Sequence, residues 1–184
     1  MVDPATEAEI SAQEEPVEPD RVLIPSALGT LGVQLTGDAV TRVVIVPKGR
    51  ERKKYKPFGE LKRRERNEVM DEVLGRFSEY LAGARRRLGL EYALADDTDE
   101  FLREVLEKAS EIPYGETWTY QQLAAETGRS DAYRQVLAVL QTNPLPLVVP
   151  CHRVVTAKSG PGSYVAGVKK KIWLLKMEQR GLTL

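Results

Sequence analysis

The chain has 184 residues, 42% hydrophobic and 29% charged, which is typical of a globular protein with one large domain or two small ones. No apolar run approaches the roughly 20 residues that span a bilayer, and the first residues lack the basic start and apolar core of a signal peptide. The single cysteine, Cys151, excludes an internal disulfide, and together with the single histidine, His152, it is too few ligands for a structural zinc site. We therefore expect a cytoplasmic protein with no membrane contact, no metal and no cofactor.

The net charge is zero, but the charges are unevenly distributed. Residues 1–20 hold seven acids and no base, so the rest of the chain carries 27 bases against 20 acids. This first segment is also poor in large apolar residues, which predicts a disordered tail. A basic body with an acidic tail favours a polyanionic partner, although solvated surface charge explains the same pattern.

Short β-prone runs at residues 22–24, 31–35 and 39–46 predict a small sheet, with a hairpin turn at residues 36–38. Residues 48–66 follow, with ten bases and three acids. They predict a loop, which either contacts the polyanion or is ordinary surface.

The hydrophobic period then changes. Apolar residues recur at intervals of three and four from Val69 to Leu88, which predicts an amphipathic helix. Residues 90–94 are compatible with a further short strand, and residues 95–97 with a linker. Residues 21–95 therefore predict a small α+β unit.

The second half of the chain reads as helical. An apolar stripe over residues 101–109 predicts a helix whose N-cap is Asp97 or Thr98. A Pro-Tyr-Gly sequence at residues 113–115 ends this segment.

Two short helices follow. Thr119 and Gln122 have the spacing of a capping box, and Gly128 is placed to end the first helix with a tight turn. The next helix is predicted to begin near Ser130 or Asp131. Two helices joined in this way predict a helix-turn-helix.

The second of these helices has two distinct faces. Tyr133, Val136, Leu137 and Leu140 have helical spacing and are predicted to face the core. Arg134 then faces outward near the start of the helix, where it is either a nucleic-acid contact or an ordinary surface arginine.

The only cysteine and the only histidine are adjacent, within the Pro-Cys-His-Arg-Val sequence of residues 150–154. A nearby imidazole favours the reactive thiolate, so we expect His152 to raise the thiolate fraction of Cys151. The alternative is a buried free cysteine beside a partly exposed histidine. In a continuing strand the two side chains would point to opposite faces, so for His152 to act as base the chain must turn here or a water must bridge them.

The last element is a helix predicted from Val168 to about Gln179. The apolar residues at 173–175 are predicted to anchor it, and Glu178 lies near its end.

Taken together, these motifs resemble O6-alkylguanine-DNA alkyltransferases over about residues 97–180, and only in outline before that. The matching segments are residues 112–116 (IPYGE), 119–124 (TYQQLA), 143–144 (NP), 150–154 (PCHRV) and 172–175 (IWLL), with Tyr164 and Glu178.

The resemblance implies an α+β fold. A small three-stranded sheet plus a helix, with a ribonuclease H-like outline, is expected over residues 21–95. A helical domain of winged helix-turn-helix type is expected over residues 96–184.

The resemblance also implies direct-reversal DNA repair. An alkyl group, mainly methyl, passes irreversibly from O6-alkylguanine, and also from O4-alkylthymine, to Cys151 in a single turnover. The expected partner is double-stranded DNA bound through its minor groove, and the expected state is a monomer without cofactor.

Roles in the chemistry come from the same resemblance. Cys151 is the nucleophile and alkyl acceptor. His152 is the base, acting through a bridging water and oriented by Glu178. Asn143 braces the active-site turn, and Tyr120 places its hydroxyl near the guanine ring nitrogen.

Roles in DNA binding follow in the same way. Arg134 fills the gap that the flipped base leaves, and Thr119 and Gln121 contact phosphate. The backbone carbonyls of Cys151 and Val154 read the exocyclic amine of the guanine.

The pocket wall departs from the family pattern. Tyr164, Val165 and Ala166 are expected to line the alkyl pocket, where the family commonly has Ser-Gly-Gly after the tyrosine. The larger side chains at 165 and 166 predict good transfer of methyl and poorer transfer of benzyl-sized groups. Tyr133 and Leu137 replace small residues beside Arg134, and close approach to DNA then requires that they point inward.

Three other kinds of protein compete with this interpretation. Alkyltransferase-like proteins bind alkyl lesions without transfer, but they replace the cysteine that this chain retains. Cysteine hydrolases place cysteine and histidine far apart in sequence. A plain DNA-binding module with an incidental Cys-His pair is the third alternative.

Overall fold

The computed structural model describes residues 20–46, 68–158 and 160–182. The acidic segment before Asp20 and the basic segment at residues 48–66 lie outside the described residues. In chain order the elements are β1 (Asp20–Ser26), β2 (Gly29–Thr36), β3 (Ala39–Val46), α1 (Glu68–Leu81), α2 (Glu100–Ser110), β4 (Trp118–Thr119), α3 (Tyr120–Glu126), α4 (Tyr133–Leu140), β5 (Val154–Val155) and α5 (Val168–Gly181), with 3₁₀ turns at Ser130–Ala132 and Cys151–Arg153.

The N-terminal strands form an antiparallel sheet in the order β1-β2-β3, which confirms the predicted small sheet and its hairpin turn. Leu31, Val33 and Leu35 of the central strand alternate along the chain and are all buried. Because side chains in a strand alternate between faces, this period places one face of β2 on the core.

Helix α1 covers the sheet, but it is shorter than predicted. Its buried face is Met70, Val73, Phe77 and Tyr80, and it ends at Leu81 rather than continuing to Leu88. Gly83 has a φ of 78°, a left-handed conformation that ends a helix, and the amides of Gly83 and Ala84 bond back to the last turn. Leu88 is still buried, but it packs from the following loop.

The strand considered at residues 90–94 is not present as a strand. Tyr92 forms only an isolated bridge with Val40, flanked by bonds from the Val40 amide to the Glu91 carbonyl and from the Ala93 amide to the Val40 carbonyl. The free edge of β3 is shared between this loop and the segment that follows α4, because the Val43 amide donates to the Pro144 carbonyl at 2.8 Å. A continuous fourth strand therefore has no full edge to pair with.

Local capping explains where the central helices begin. The N-cap of α2 is Asp99, whose side chain accepts from the Leu102 amide at 3.0 Å, so the prediction of Asp97 or Thr98 was wrong by one or two positions. The capping box of Thr119 and Gln122 at the start of α3 is confirmed, with both reciprocal hydrogen bonds present.

Helices α3 and α4 pack against each other across a turn that includes a short 3₁₀ segment. In α4, Val136 and Leu140 are buried, Tyr133 and Leu137 are half-buried against the core, and Arg134 is exposed. The predicted division of faces is confirmed.

The buried apolar residues form one continuous cluster that runs from the sheet to α5. The proposed boundary near residue 95 therefore does not divide the hydrophobic core, and it stays a prediction. Among the described helices, none is both long and apolar enough to cross a membrane.

Candidate active site

The Cys-His pair lies in a tight turn. Cys151 starts a 3₁₀ turn in which the Arg153 amide donates to the Pro150 carbonyl at 2.9 Å. Cys151 is 3% exposed and His152 is fully buried. The chain therefore turns at this point instead of continuing as a strand. Such a turn was one of the two conditions under which His152 could act as base for Cys151, the other being a bridging water.

Asn143 holds this turn from the loop after α4. Its side-chain Nδ2 donates to Cys151 Sγ at 3.0 Å and to the Val149 carbonyl at 3.3 Å, and its Oδ1 accepts from the Leu145 amide at 2.8 Å. Both ends of the amide group are thus used, which fixes the side chain against the thiol.

Glu178, fully buried on α5, accepts hydrogen bonds from four groups. His152 Nε2 donates to Oε1 at 2.8 Å, and Arg153 Nη2 donates to the same oxygen at 2.9 Å. The Gly115 amide donates to Oε2 at 3.0 Å, and the Tyr80 hydroxyl donates to Oε1 at 2.5 Å. Gly115 has a φ of 79°, which suits glycine, and this geometry aims its amide at the carboxylate.

These contacts set the charge states of the site. Burial alone would raise the pKa of Glu178, but hydrogen bonds from His152 and Arg153, together with the charge of Arg153, outweigh it and lower that pKa to about 2. Burial lowers the pKa of His152, against the opposing effect of Glu178. The carboxylate is therefore ionised at neutral pH, while the imidazole is neutral.

The thiol differs from the sequence-based expectation. Burial raises the pKa of Cys151 from 9.0 to about 11, although the Asn143 hydrogen bond and the charge of Lys171 act in the opposite direction. In the free protein, the expectation of a raised thiolate fraction was therefore wrong, because desolvation of the sulfur outweighs its polar neighbours.

The imidazole is held in one tautomer. A carboxylate only accepts, so the bond to Glu178 places the ring hydrogen of His152 on Nε2 and leaves a lone pair on Nδ1. Within the described part of the chain, no protein group bonds to Nδ1. The nitrogen that carries the basic lone pair is thus free to take a proton.

Lys171, on α5, is fully buried beside this centre. Its ammonium donates to the Val154 carbonyl and to the Ser163 carbonyl, the latter at 3.0 Å, and lies 5.7 Å from the centre of the Tyr120 ring. Burial lowers the pKa of Lys171 to about 8, and Cys151 acts against that shift. Lys171 therefore ties the segment carrying Ser163 to the turn that carries the thiol.

Two tyrosines line the same region. Tyr120 is buried at the start of α3, and its hydroxyl donates to the Ser163 carbonyl at 3.4 Å. The buried Tyr164 lies edge-on to His152, with ring centres 6.3 Å apart. Next to it, Ala166 is half-buried, whereas Val165 is 38% exposed.

The residues expected to contact DNA lie further out. Arg134 is exposed on α4, and its Nε donates to the Tyr133 hydroxyl at 3.1 Å. Gln121 is exposed at the start of α3, and the hydroxyl oxygen of Thr119 is engaged in the helix cap. The Val154 carbonyl accepts from Lys171, and the Cys151 carbonyl accepts from the Val154 amide.

The structure therefore brings Cys151, His152, Asn143 and Glu178 into one buried centre, with Tyr120 and Tyr164 beside it. Sequence reasoning assigned no role to three residues that complete this centre: Tyr80, Arg153 and Lys171. A signal existed for Lys171, because it stands three and seven residues before the inward-facing Leu174 and Glu178 on the same helix. No sequence signal distinguished Tyr80 from the apolar stripe around it.

Comparison with known proteins finds similar sequences. The family described as 6-O-methylguanine DNA methyltransferase, DNA binding domain, matches residues 100–180. A methylated-DNA–protein-cysteine methyltransferase of Methanosarcina barkeri is 33% identical over 118 residues, which cover 64% of this chain and 73% of that protein. One from Methanothermobacter thermautotrophicus is 47% identical over 79 residues, which cover 43% of this chain but only 44% of the relative.

The fold is similar as well. A crystal structure of Mycobacterium tuberculosis OGT in complex with DNA superposes with a TM-score of 0.72 at 25% identity, covering 86% of this chain and 92% of that one.

Proposed function

This chain belongs to the family of methylated-DNA–protein-cysteine methyltransferases, and on that premise we propose that Cys151 accepts an alkyl group, mainly methyl, from O6-alkylguanine in DNA. O4-alkylthymine, which carries the alkyl group on a similarly placed ring oxygen, is a second substrate. The observation that carries the proposal is the single cysteine held by Asn143 at 3.0 Å, next to a histidine that is hydrogen-bonded to a buried carboxylate.

The first step moves the thiol proton. At neutral pH the buried thiol is protonated and the imidazole of His152 is neutral, which is the pairing that general-base catalysis needs. The proton passes from Sγ through a bridging water to Nδ1. Glu178 stabilises the imidazolium that forms, and Asn143 holds the sulfur in place.

The second step transfers the alkyl group. The sulfur electron pair forms a bond to the alkyl carbon, and the bond from that carbon to O6 breaks with its electrons going to the guanine. The guanine gains a proton at its ring nitrogen with the help of the Tyr120 hydroxyl, and the proton released by the thiol balances it. The thioether that forms is stable, because removing its alkyl group would require expulsion of the Cys151 thiolate, so the protein is consumed after one turnover.

DNA binding accounts for the outer residues. We assign α3 and α4 to a helix-turn-helix of winged type, and the sheet with α1 to a ribonuclease H-like outline. Arg134 fills the space of the flipped base, while Thr119 and Gln121 contact phosphate. Binding through the minor groove calls for little sequence readout.

The pocket holds the flipped base. Its alkyl side is walled by Tyr164, Val165 and Ala166, and the carbonyls of Cys151 and Val154 each keep a lone pair for the exocyclic amine. All of these groups come from one chain, which supports a monomer as the acting form. We propose that it acts on DNA in the cytoplasm.

Intact-mass measurement tests the proposal. After incubation with duplex DNA carrying O6-methylguanine, the protein should gain the mass of one methyl group, and Cys151→Ala should gain none. Tight lesion binding without a mass gain would instead identify a non-catalytic alkyl-lesion binding protein. A gain that persists in Cys151→Ala would place the acceptor elsewhere.

A further inference from the structure

We infer that Tyr80, on helix α1, is a positioning residue that acts together with Glu178 to fix the tautomer of His152 in the proton relay. This rests on the proposed function, in which His152 is the base, and it assigns a part in that reaction to the N-terminal half of the molecule.

The geometry places the tyrosine hydroxyl at the junction of the relay. Tyr80 is 1% exposed, and its hydroxyl donates to Glu178 Oε1 at 2.5 Å while lying 3.3 Å from His152 Nε2. The hydroxyl hydrogen is directed at the carboxylate, so the oxygen lone pairs are left to face Nε2. Two oxygen acceptors, from Tyr80 and Glu178, therefore surround the same ring nitrogen.

This arrangement selects which nitrogen is the base. A hydrogen on Nε2 is shared between the two acceptors, whereas a bare Nε2 would place its lone pair against oxygen lone pairs. The Nε2–H form is thus favoured, and Nδ1 keeps its lone pair. An imidazole in the other tautomer would carry a hydrogen on Nδ1 and could not accept the thiol proton there.

The hydroxyl remains a donor over the working pH range. Burial raises the pKa of Tyr80 well above 10, and the charge of Glu178 adds to this effect against the opposing charge of Arg153. The ring itself is fixed by an edge-on contact with Tyr114, with centres 6.1 Å apart. Tyr80 on α1 therefore makes a contact with the relay that is rigid and stays protonated.

Tyr80→Phe tests the inference, because it removes the hydroxyl and keeps the ring. Tyr114→Phe is the matched control: its hydroxyl is also buried in the same cluster, but it has no hydrogen-bond partner among the described residues. The chain has a single histidine, so ¹⁵N NMR of the ring reports one pair of nitrogen signals without assignment ambiguity.

We expect the Nε2–H tautomer in the parent protein and in Tyr114→Phe, and a raised share of Nδ1–H in Tyr80→Phe. The rate of methyl transfer should fall roughly tenfold in Tyr80→Phe, the size expected when one hydrogen bond to a charged group is lost. Thermal unfolding of both variants checks that each is folded.

An unchanged tautomer in a folded Tyr80→Phe overturns the inference, even if its rate falls, because the role is then structural only. An unchanged rate with a shifted tautomer overturns it too. If the parent protein takes up no methyl group, the proposed function fails, while the NMR comparison still reports whether Tyr80 positions His152.

Discussion

The two halves of the molecule contribute to the site in different ways. Apart from the positioning residue Tyr80, every side chain proposed for the chemistry lies between Thr119 and Glu178. Among the described residues, the N-terminal half hydrogen-bonds to the site through the Val43 amide, which donates to the Pro144 carbonyl, and through the Tyr80 hydroxyl, which donates to Glu178. One contact is made by the backbone and the other by a side chain.

This difference explains where the recognisable motifs fall. A backbone amide donates whatever side chain its residue carries, so the β3 contact constrains the path of the chain more than its sequence. The turn around Cys151 instead needs particular side chains at each position. The fold of the N-terminal half can therefore be retained while its sequence diverges, with Tyr80 as the expected exception.

The largest expected effect comes from the C-terminal half, with His152→Gln. Removing the base should slow methyl transfer at pH 7 by about 10²–10⁴-fold. The pH profile should change as well. Burial lowers the pKa of His152, so the parent base is available above pH 7, and the rate should be flat from pH 7 towards 8, the pKa at which Lys171 loses its charge.

In His152→Gln only the thiolate can react. Because the pKa of Cys151 is about 11, the rate should rise about tenfold per pH unit over the same range. Single-turnover kinetics at several pH values measure this. A flat profile in the variant would contradict the relay.

Replacing one arginine in each half compares how much the two halves depend on their ion pairs for stability. Arg153→Leu removes the buried partner of Glu178 and the donor to the Ile112 carbonyl, which should lower the free energy of unfolding by about 3–5 kcal/mol. Arg85→Leu removes the exposed pair with Glu79 in the N-terminal half and should cost at most about 1 kcal/mol. Urea denaturation measures both free energies of unfolding. Similar losses would show that the buried contacts of Arg153 stabilise the protein no more than the exposed Arg85–Glu79 pair does.

Acid should weaken the junction between the halves. The pKa of Glu178 is about 2 in the folded state against an ordinary 4.5, so its stabilisation is complete above pH 4.5 and is lost as pH falls towards 2. The loss should approach about 3 kcal/mol. Unfolding of the parent and of Glu178→Gln, followed from pH 5 to 2, tests this, and parallel curves for the two proteins would contradict it.

The smallest effect concerns the pocket wall. We expect O6-methylguanine DNA to react faster than free O6-benzylguanine, and Ala166→Gly to raise the benzyl rate by at most about tenfold. Val165→Ala should raise it less, since Val165 is 38% exposed. Inactivation rates with both substrates provide the measurement, and a parent protein that prefers benzyl would refute the idea of a narrowed pocket.

Local interactions explain what the sequence predicted well. The capping box of Thr119 and Gln122 is complete within four residues, and the period of α4 separates Arg134 from Val136. By contrast, four polar residues in a row precede α2, and only the geometry of the chain selects Asp99 as its cap.

Long-range contacts explain what the sequence did not predict. Tyr80 is 98 residues from its partner Glu178, and nothing near it in sequence signals a polar partner. The thiol pKa is similarly a tertiary property, because the burial of Cys151 depends on the whole fold. Lys171 lies between these cases. Its helical spacing indicated an inward position, but its charge favoured an exposed one.

The burial of Cys151 also protects the thiol from side reactions before it meets its substrate. A protonated thiol that is 3% exposed is a poor target for peroxides and for small electrophiles, which react with accessible thiolates. In the single-turnover reaction proposed above, each molecule has one reactive sulfur. We propose that keeping this sulfur as a buried thiol reserves it for an alkyl group that DNA carries into the pocket.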